Sequence, residues 1–210
     1  TIERKATFSC LLYAGMETAV ASTKSYVAQV CFLALLYGCL IGDSSVVLDL
    51  DRLYDASVDV IRRKKKIEKI AKGCEKYQKG FFVGRGYDYL ACMEASLKLK
   101  EVSYIHAEAY AGGELKHGPI ALIEPSVLVV GLVSDPVVAE EIRSRKGRII
   151  IFSTQTFSEK GDDFIVMDVK SYLSPCLLVL VSQYFAYYVA LGKGLPIDKP
   201  RNLAKSVTVE

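Results

Sequence analysis

The chain has 210 residues, 27 Lys+Arg against 24 Asp+Glu for a formal net charge of +3, and 51% apolar residues. So apolar a chain with so little net charge can bury enough surface to offset its conformational entropy, which excludes disorder and leaves room for one good core or one and a half domains. A pI near 8.4 is too mild for nucleic-acid binding, and the dense basic cluster Arg62-Arg63-Lys64-Lys65-Lys66 has no aromatic interleaving and reads as a solvated helix face.

Cysteines 10, 31, 39, 74, 92 and 176 form no CxxC and do not group with either histidine, so neither a metal site nor a disulfide framework is expected. The expected compartment is the reducing cytoplasm. No basic-then-apolar leader opens the chain. The longest apolar run, Val30 to Ile41 allowing Gly38, is shorter than the ~20 residues that span a bilayer, and no membrane partner is expected.

All six prolines lie at Pro119 or beyond, which predicts long helices in the N-terminal part. Ser22 or Thr23 caps a helix running through Tyr26, Val30, Leu33, Ala34 and Tyr37, whose apolar residues surround the axis and predict burial. From about Leu50 to Gln78, Leu53, Val58, Ile61, Ile67, Ile70 and Ala71 form a helical stripe under a charged face, giving a connecting helix or helix pair. From Lys79 the pattern becomes short β-rich runs: Phe81 to Val83, Tyr104 to Ala107, Val127 to Val133, Ile149 to Phe152 and Phe164 to Met167. Helical stretches alternate with them at Tyr89 to Val102, Glu114 to Ile123, Val137 to Lys146 and Ser171 to Leu191.

Strand and helix in alternation predict an α/β fold, a doubly wound parallel sheet flanked by helices, because parallel neighbours need crossovers that cover both faces. The expected organisation is an incomplete unit at 1–50, connecting helices at 51–78, the α/β domain at 79–192 and a tail at 193–210.

Several residues could carry chemistry. Gly84-Arg85-Gly86 follows the first strand, where an α/β fold binds ligands, yet Tyr89 replaces the third glycine of a dinucleotide fingerprint. A tight strand-to-helix turn and a turn that also lines a site remain equal readings. Glu94, Lys98, Glu101 and Ile105 recur along one helical stripe. Met93, Leu97 and Tyr104 flank it on one side and Ala95, Leu99 and Val102 on the other. That pattern fits an ionic stripe bordering an internal polar cavity, or an ion-paired helix edge. His117, between Gly113 and Gly118, is a surface residue or a proton shuttle. His106, inside an apolar run, reads as a core histidine. Nothing local to Lys205 supplies the depressed basicity that an amine nucleophile needs.

Gly84-Arg85-Gly86, Glu94 to Glu101, His106-Ala107-Glu108, Gly113 to Pro119 and Pro200 to Glu210 together resemble the glutamine:fructose-6-phosphate amidotransferase family, the glucosamine-6-phosphate synthases. The resemblance implies two sugar isomerase (SIS) domains behind a glutaminase domain. Residues 79–210 are similar to the second SIS domain and its tail, and Ala14-Gly15-Met16-Glu17 with Val20 to Lys24 to the late part of the first. The glutaminase domain and the first SIS domain's phosphate loop are absent from the sequence. The join between Cys10 and Leu11 suggests a large missing internal block, and the helix between Val133 and Arg148 is short for the family.

By the same resemblance Glu101 is the base that moves a proton between C1 and C2 of a sugar phosphate, with Lys98 beside it. Lys205 forms an imine with the sugar carbonyl, and His117 assists ring opening from a neighbouring subunit of a homodimer. Val20, Ser22 and Ala204 line the sugar. No cofactor and no metal is implied. The tail is expected to fold back beside the Glu94-Lys98-Glu101 stripe, burying Lys205 with Lys98 as its nearest like charge. A non-catalytic sugar-phosphate-binding SIS module and a fructosamine-phosphate deglycase are the competing readings. The filled chemical positions argue against the first, and the Leu203 to Glu210 ending argues against the second.

Overall fold

A computed structural model describes residues 2–144, 147–156 and 164–205. A short helix α1 (Ile2–Lys5) leads through an irregular stretch to helices α2 (Lys24–Ile41), α3 (Ser45–Arg62) and α4 (Lys64–Ala71). The α/β part follows as β1 (Lys79–Gly84), α5 (Tyr87–Ser103), β2 (His106–Ala111), β3 (Val127–Val133), α6 (Pro136–Arg143), β4 (Arg148–Ser153), β5 (Phe164–Ile165) and α7 (Ser174–Gly192).

The five strands are all parallel, in the order β2-β1-β3-β4-β5. Period-two alternation divides their side chains between two cores. Phe82, Leu128, Val130, Leu132, Ile150 and Phe152 face the larger core, which α5 and α7 cover with α3 and α4 behind them. Phe81, Val83, Val127, Val129, Val133 and Ile151 face a smaller one closed by α6. The doubly wound parallel sheet expected from the strand-helix alternation is therefore present.

Strand order reverses between β1 and β3, the topological switch point of such a sheet. The Gly84-Arg85-Gly86 turn lies there and has a packing role. A Cβ on Gly84 would sit 2.8 Å from the Asp88 carbonyl and 2.9 Å from Cys92 Sγ, and Gly86 has φ 57. Asp88, buried in the first turn of α5, accepts bonds from Ser134 N at 2.7 Å and Ser134 Oγ at 2.6 Å, so the loops after β1 and β3 are tied together. Burial raises the Asp88 carboxyl above its ordinary range, against the two serine donors.

Four local expectations differ from the structure. The strand expected at Tyr104 begins at His106, because Tyr104 adopts a left-handed conformation (φ 60) that ends α5. His106 is accordingly no core residue: it opens an edge strand, its side chain is 73% exposed, and its Nε2 lies 3.3 Å from Glu108 Oε1. The stretch Glu114 to Ile123 forms two 3-10 turns, Leu115–His117 and Pro119–Leu122, divided at Gly118 (φ 147). Finally, α2 is apolar all round but not buried: Leu33 is 62% and Leu40 78% exposed.

By length and composition alone, α2 and α7 are both apolar enough to cross a bilayer. The apolar surface of α7 is used inside the fold, where Leu177, Leu178, Val181, Phe185 and Val189 are buried. That of α2 is left largely uncovered by the described residues. Composition predicts that a helix needs cover, not that the same chain supplies it.

Candidate functional site

The helical spacing of α5 brings Glu94, Lys98 and Glu101 together. The Lys98 side chain is only 4% exposed, and its Nζ lies 2.6 Å from Glu101 Oε2 and 3.4 Å from Glu94 Oε1. Ala95, Leu99 and Val102 are buried on one flank of this stripe, whereas Met93 and Leu97 on the other are exposed. One flank, not both, is therefore enclosed. Burial raises the Glu94 carboxyl above its usual range, Lys98 opposes that shift, and Glu101 reinforces it. The Lys98 to Glu101 contact is close without hydrogen-bond alignment, leaving Glu101 Oε2 buried and unbonded.

Two distant segments roof the stripe: the loop before α2 and the tail after α7. Val20 N donates to Asp198 O at 3.0 Å, joining them. Between them and α5 lies a cavity of about 200 Å³ lined by Lys98, Ala19, Ala21, Thr23, Ile197 and Asp198 among others. Val20 is half-buried at this junction, while Ser22 and Ala204 lie exposed on the two segments.

Glu17 organises the loop. Its Oε1 accepts from Thr23 N at 2.8 Å and Ser25 N at 3.5 Å, and its Oε2 accepts from Ser25 Oγ at 2.9 Å. The carboxylate thus satisfies amides at the start of α2, where the helix dipole also favours a negative charge. The same Oε2 accepts from Lys205 Nζ at 2.8 Å, tying the tail to the loop. Burial alone would raise the Glu17 carboxyl, but Lys205 and the Thr23 and Ser25 donors outweigh it and bring it from 4.5 down to about 2.

A folded-state value below the unfolded one means that Glu17 adds stability above about pH 4.5, lost as the pH falls through that value toward about 2. Glu17→Gln should therefore lower the melting temperature at pH 7 and flatten its decline between pH 4.5 and 2. Melting curves at several pH values test this, and a variant with the parent's acid profile would contradict it.

Lys205 is consequently not where burial would put it. Its side chain is 41% exposed and its ionic partner is Glu17, not the Glu94-Lys98-Glu101 stripe. A carboxylate 188 residues earlier in the chain holds it, a pairing that no local feature of the tail announces. Residues 206–210, the end of the tail motif, lie outside the described residues. His117 is exposed on its 3-10 turn, and among the described contacts none joins it to Lys98, Glu101 or Lys205.

Glu17 belongs to a segment singled out by resemblance, but its own role was not anticipated. The available signal was that it is the sole acid between Glu3 and Asp43, with Thr18, Ser22, Thr23 and Ser25 close behind it. Tyr104 was likewise read as a flank of the stripe and the start of a strand, with no contact to the tail. In the structure its phenol oxygen accepts from Arg201 N at 2.8 Å.

The SIS domain model matches residues 75–192. Over its whole length the chain is 42% identical to the glutamine–fructose-6-phosphate aminotransferases (isomerizing) of Streptococcus pneumoniae R6 and Halalkalibacterium halodurans. It spans 38% and 37% of those relatives. An alignment of 227 residues against the whole chain leaves no room for a large missing block between Cys10 and Leu11; the remaining length of the relative lies outside the aligned stretch.

Among solved structures, the C-terminal domain of glucosamine-fructose-6-phosphate aminotransferase from Francisella tularensis superposes with a TM-score of 0.82. Its identity is 28%, over 95% of this chain and 62% of that one. A glucosamine-6-phosphate deaminase from Thermotoga maritima superposes with a TM-score of 0.73 at 25% identity, over 94% and 60% of the two chains. With more than half of its length matched by the domain model, the chain belongs to the SIS domain family.

Proposed function

We propose that this chain is the isomerase part of an enzyme that converts fructose 6-phosphate and glutamine-derived ammonia to glucosamine 6-phosphate. The observation that carries the reading is the convergence of a buried Lys98–Glu101 pair with a tail lysine held on the adjoining loop by Glu17. The 42% identity, over the whole of this chain and 38% of the relative, to an aminotransferase of that name supports it.

Lys205 adds to the C2 carbonyl of the open sugar and forms an imine with loss of water. Ammonia displaces the lysine at C2. Glu101 then takes a proton from C1 and delivers one to C2, leaving an aldehyde at C1 and an amine at C2. A carboxylate serves here because one group must reach two adjacent carbons. Lys98 fixes that carboxylate in place. Val20, Ser22 and Ala204 line the sugar at the junction of loop and tail. His117 assists ring opening in the partner subunit of a homodimer, in keeping with its exposed position away from Lys98 and Glu101. The chemistry is proton transfer and imine exchange on the sugar, and it requires no cofactor or metal.

We further infer that residues 1–50 are the late part of a first SIS unit whose remainder covers the apolar surface of α2, and that a glutaminase domain belongs to the same cytoplasmic polypeptide. The test is conversion of fructose 6-phosphate and glutamine by the natural polypeptide, with glucosamine 6-phosphate as the measured product. The 210 residues alone should turn over poorly, since they lack a phosphate loop to position the substrate. Release of ammonia from glucosamine 6-phosphate without synthesis would instead support a deaminase, the activity named for the Thermotoga structure. Sugar-phosphate binding without turnover would support a non-catalytic module.

A further inference from the structure

We propose that Tyr104 is a positioning residue that holds the C-terminal tail in register, delivering Lys205 to the site from the same helix that carries Glu101. The role rests on the reading of Lys205 given above.

Tyr104 ends α5 with φ 60, and its own N–H donates to Lys100 O at 3.2 Å. Helices that end in the left-handed region usually place glycine there, because a side chain is strained in that conformation. A bulky tyrosine at this position therefore indicates a side chain with a task. That side chain makes two contacts with one tail residue: the phenol oxygen accepts from the Arg201 main-chain N–H at 2.8 Å, and the ring lies 4.2 Å beneath the Arg201 guanidinium. The first contact fixes the backbone and the second fixes the side chain, so Arg201 cannot slide along the helix end without losing both.

Immediately beyond the clasp, Asn202 also takes a left-handed conformation (φ 61), turning the chain toward Lys205 and Glu17. On the near side Asp198 is tied to Val20. The tail is thus pinned at Asp198, Arg201 and Lys205. Only the middle pin belongs to α5. Tyr104 lies within one helical turn of Glu101, and the two residues share with Arg201 and Leu203 a cavity of about 420 Å³. The helix end that follows Glu101 therefore fixes the tail backbone four residues before Lys205, and Glu17 holds the amine itself.

Two measurements test the clasp. The first is the rate at which trypsin cuts after Lys205 in the 210-residue chain. Tyr104→Leu should raise it about tenfold, Tyr104→Phe less because the ring is kept, and Arg201→Gln, an exposed substitution that leaves the core alone, should also raise it. The second is turnover of fructose 6-phosphate by the natural polypeptide. Tyr104→Leu should lower kcat by about tenfold to a hundredfold with KM within about twofold, since misplacing a reacting group by an ångström costs rate more than binding. Phenylalanine should restore part of the loss. Unchanged cleavage in both Tyr104→Leu and Arg201→Gln, or a raised KM with unchanged kcat, would overturn the proposal. Faster cleavage in the variants, with no turnover and no sugar trapped on Lys205 in the parent polypeptide, would leave the clasp standing and overturn the assigned reaction.

Discussion

Glu101→Gln in the natural polypeptide should cut isomerisation by on the order of 10²-fold or more while leaving the fold intact, the usual scale for removing a general base. The amide keeps the size of the carboxylate and leaves an oxygen to face Lys98, but it cannot take a proton from carbon. The fold should survive because Lys98 retains Glu94 as a counter-ion at 3.4 Å. Incorporation of solvent deuterium at C2 of the product reads the proton transfer directly. Exchange at the parent rate in the variant would remove Glu101 from the reaction.

Lys98→Met should be the most destabilising single change at the site. Methionine approximates the volume of the lysine stem, so packing is kept, but Glu94 and Glu101 are left facing each other with no cation between them. Removing one partner of a buried ion pair costs about 3–5 kcal/mol. The sign of the pH dependence follows from Glu94, whose carboxyl burial already raises and Lys98 holds down. Without Lys98 it moves further up, so the penalty applies when the group is charged and is relieved as the pH falls and the carboxyl takes up a proton. Urea unfolding at pH 7 and pH 5 should show a large loss that shrinks at the lower pH. A loss below about 1 kcal/mol, equal at both, would mean that water screens the cluster.

How much of this was legible depended on whether sequence distance maps onto space. Val127 to Val133 could be placed as a strand because a parallel strand covered on both faces is a continuous apolar run, and all seven residues are buried. The Glu94, Lys98 and Glu101 cluster was legible for the same kind of reason, since a helix converts spacings of three and four into adjacency. Its enclosure on one flank only was not, because that depends on how α7 packs against α5. The connecting segment was legible as a helix or helix pair from about Leu50, but α3 begins at Ser45, directly after the Asp43-Ser44 start signal that the apolar stripe alone does not include.

Other features depend on contacts that no local window holds. The Glu17–Lys205 bridge joins the first tenth of the chain to its last few residues. The left-handed end of α5 at Tyr104 goes against the usual preference for glycine, and the tail that packs on its side chain comes from 97 residues further along the chain. The burial expected for α2 did not follow from its all-round apolar composition, because burial depends on what packs against a helix, and the described residues leave Leu33 and Leu40 exposed.

The proposed reaction depends most directly on the imine at Lys205. Borohydride reduction of the natural polypeptide in the presence of fructose 6-phosphate, followed by peptide mass spectrometry, should find the sugar on Lys205. Lys205→Arg should abolish both the label and glucosamine 6-phosphate formation. A label confined to Lys98, or undiminished turnover by the Lys205→Arg protein, would contradict the account.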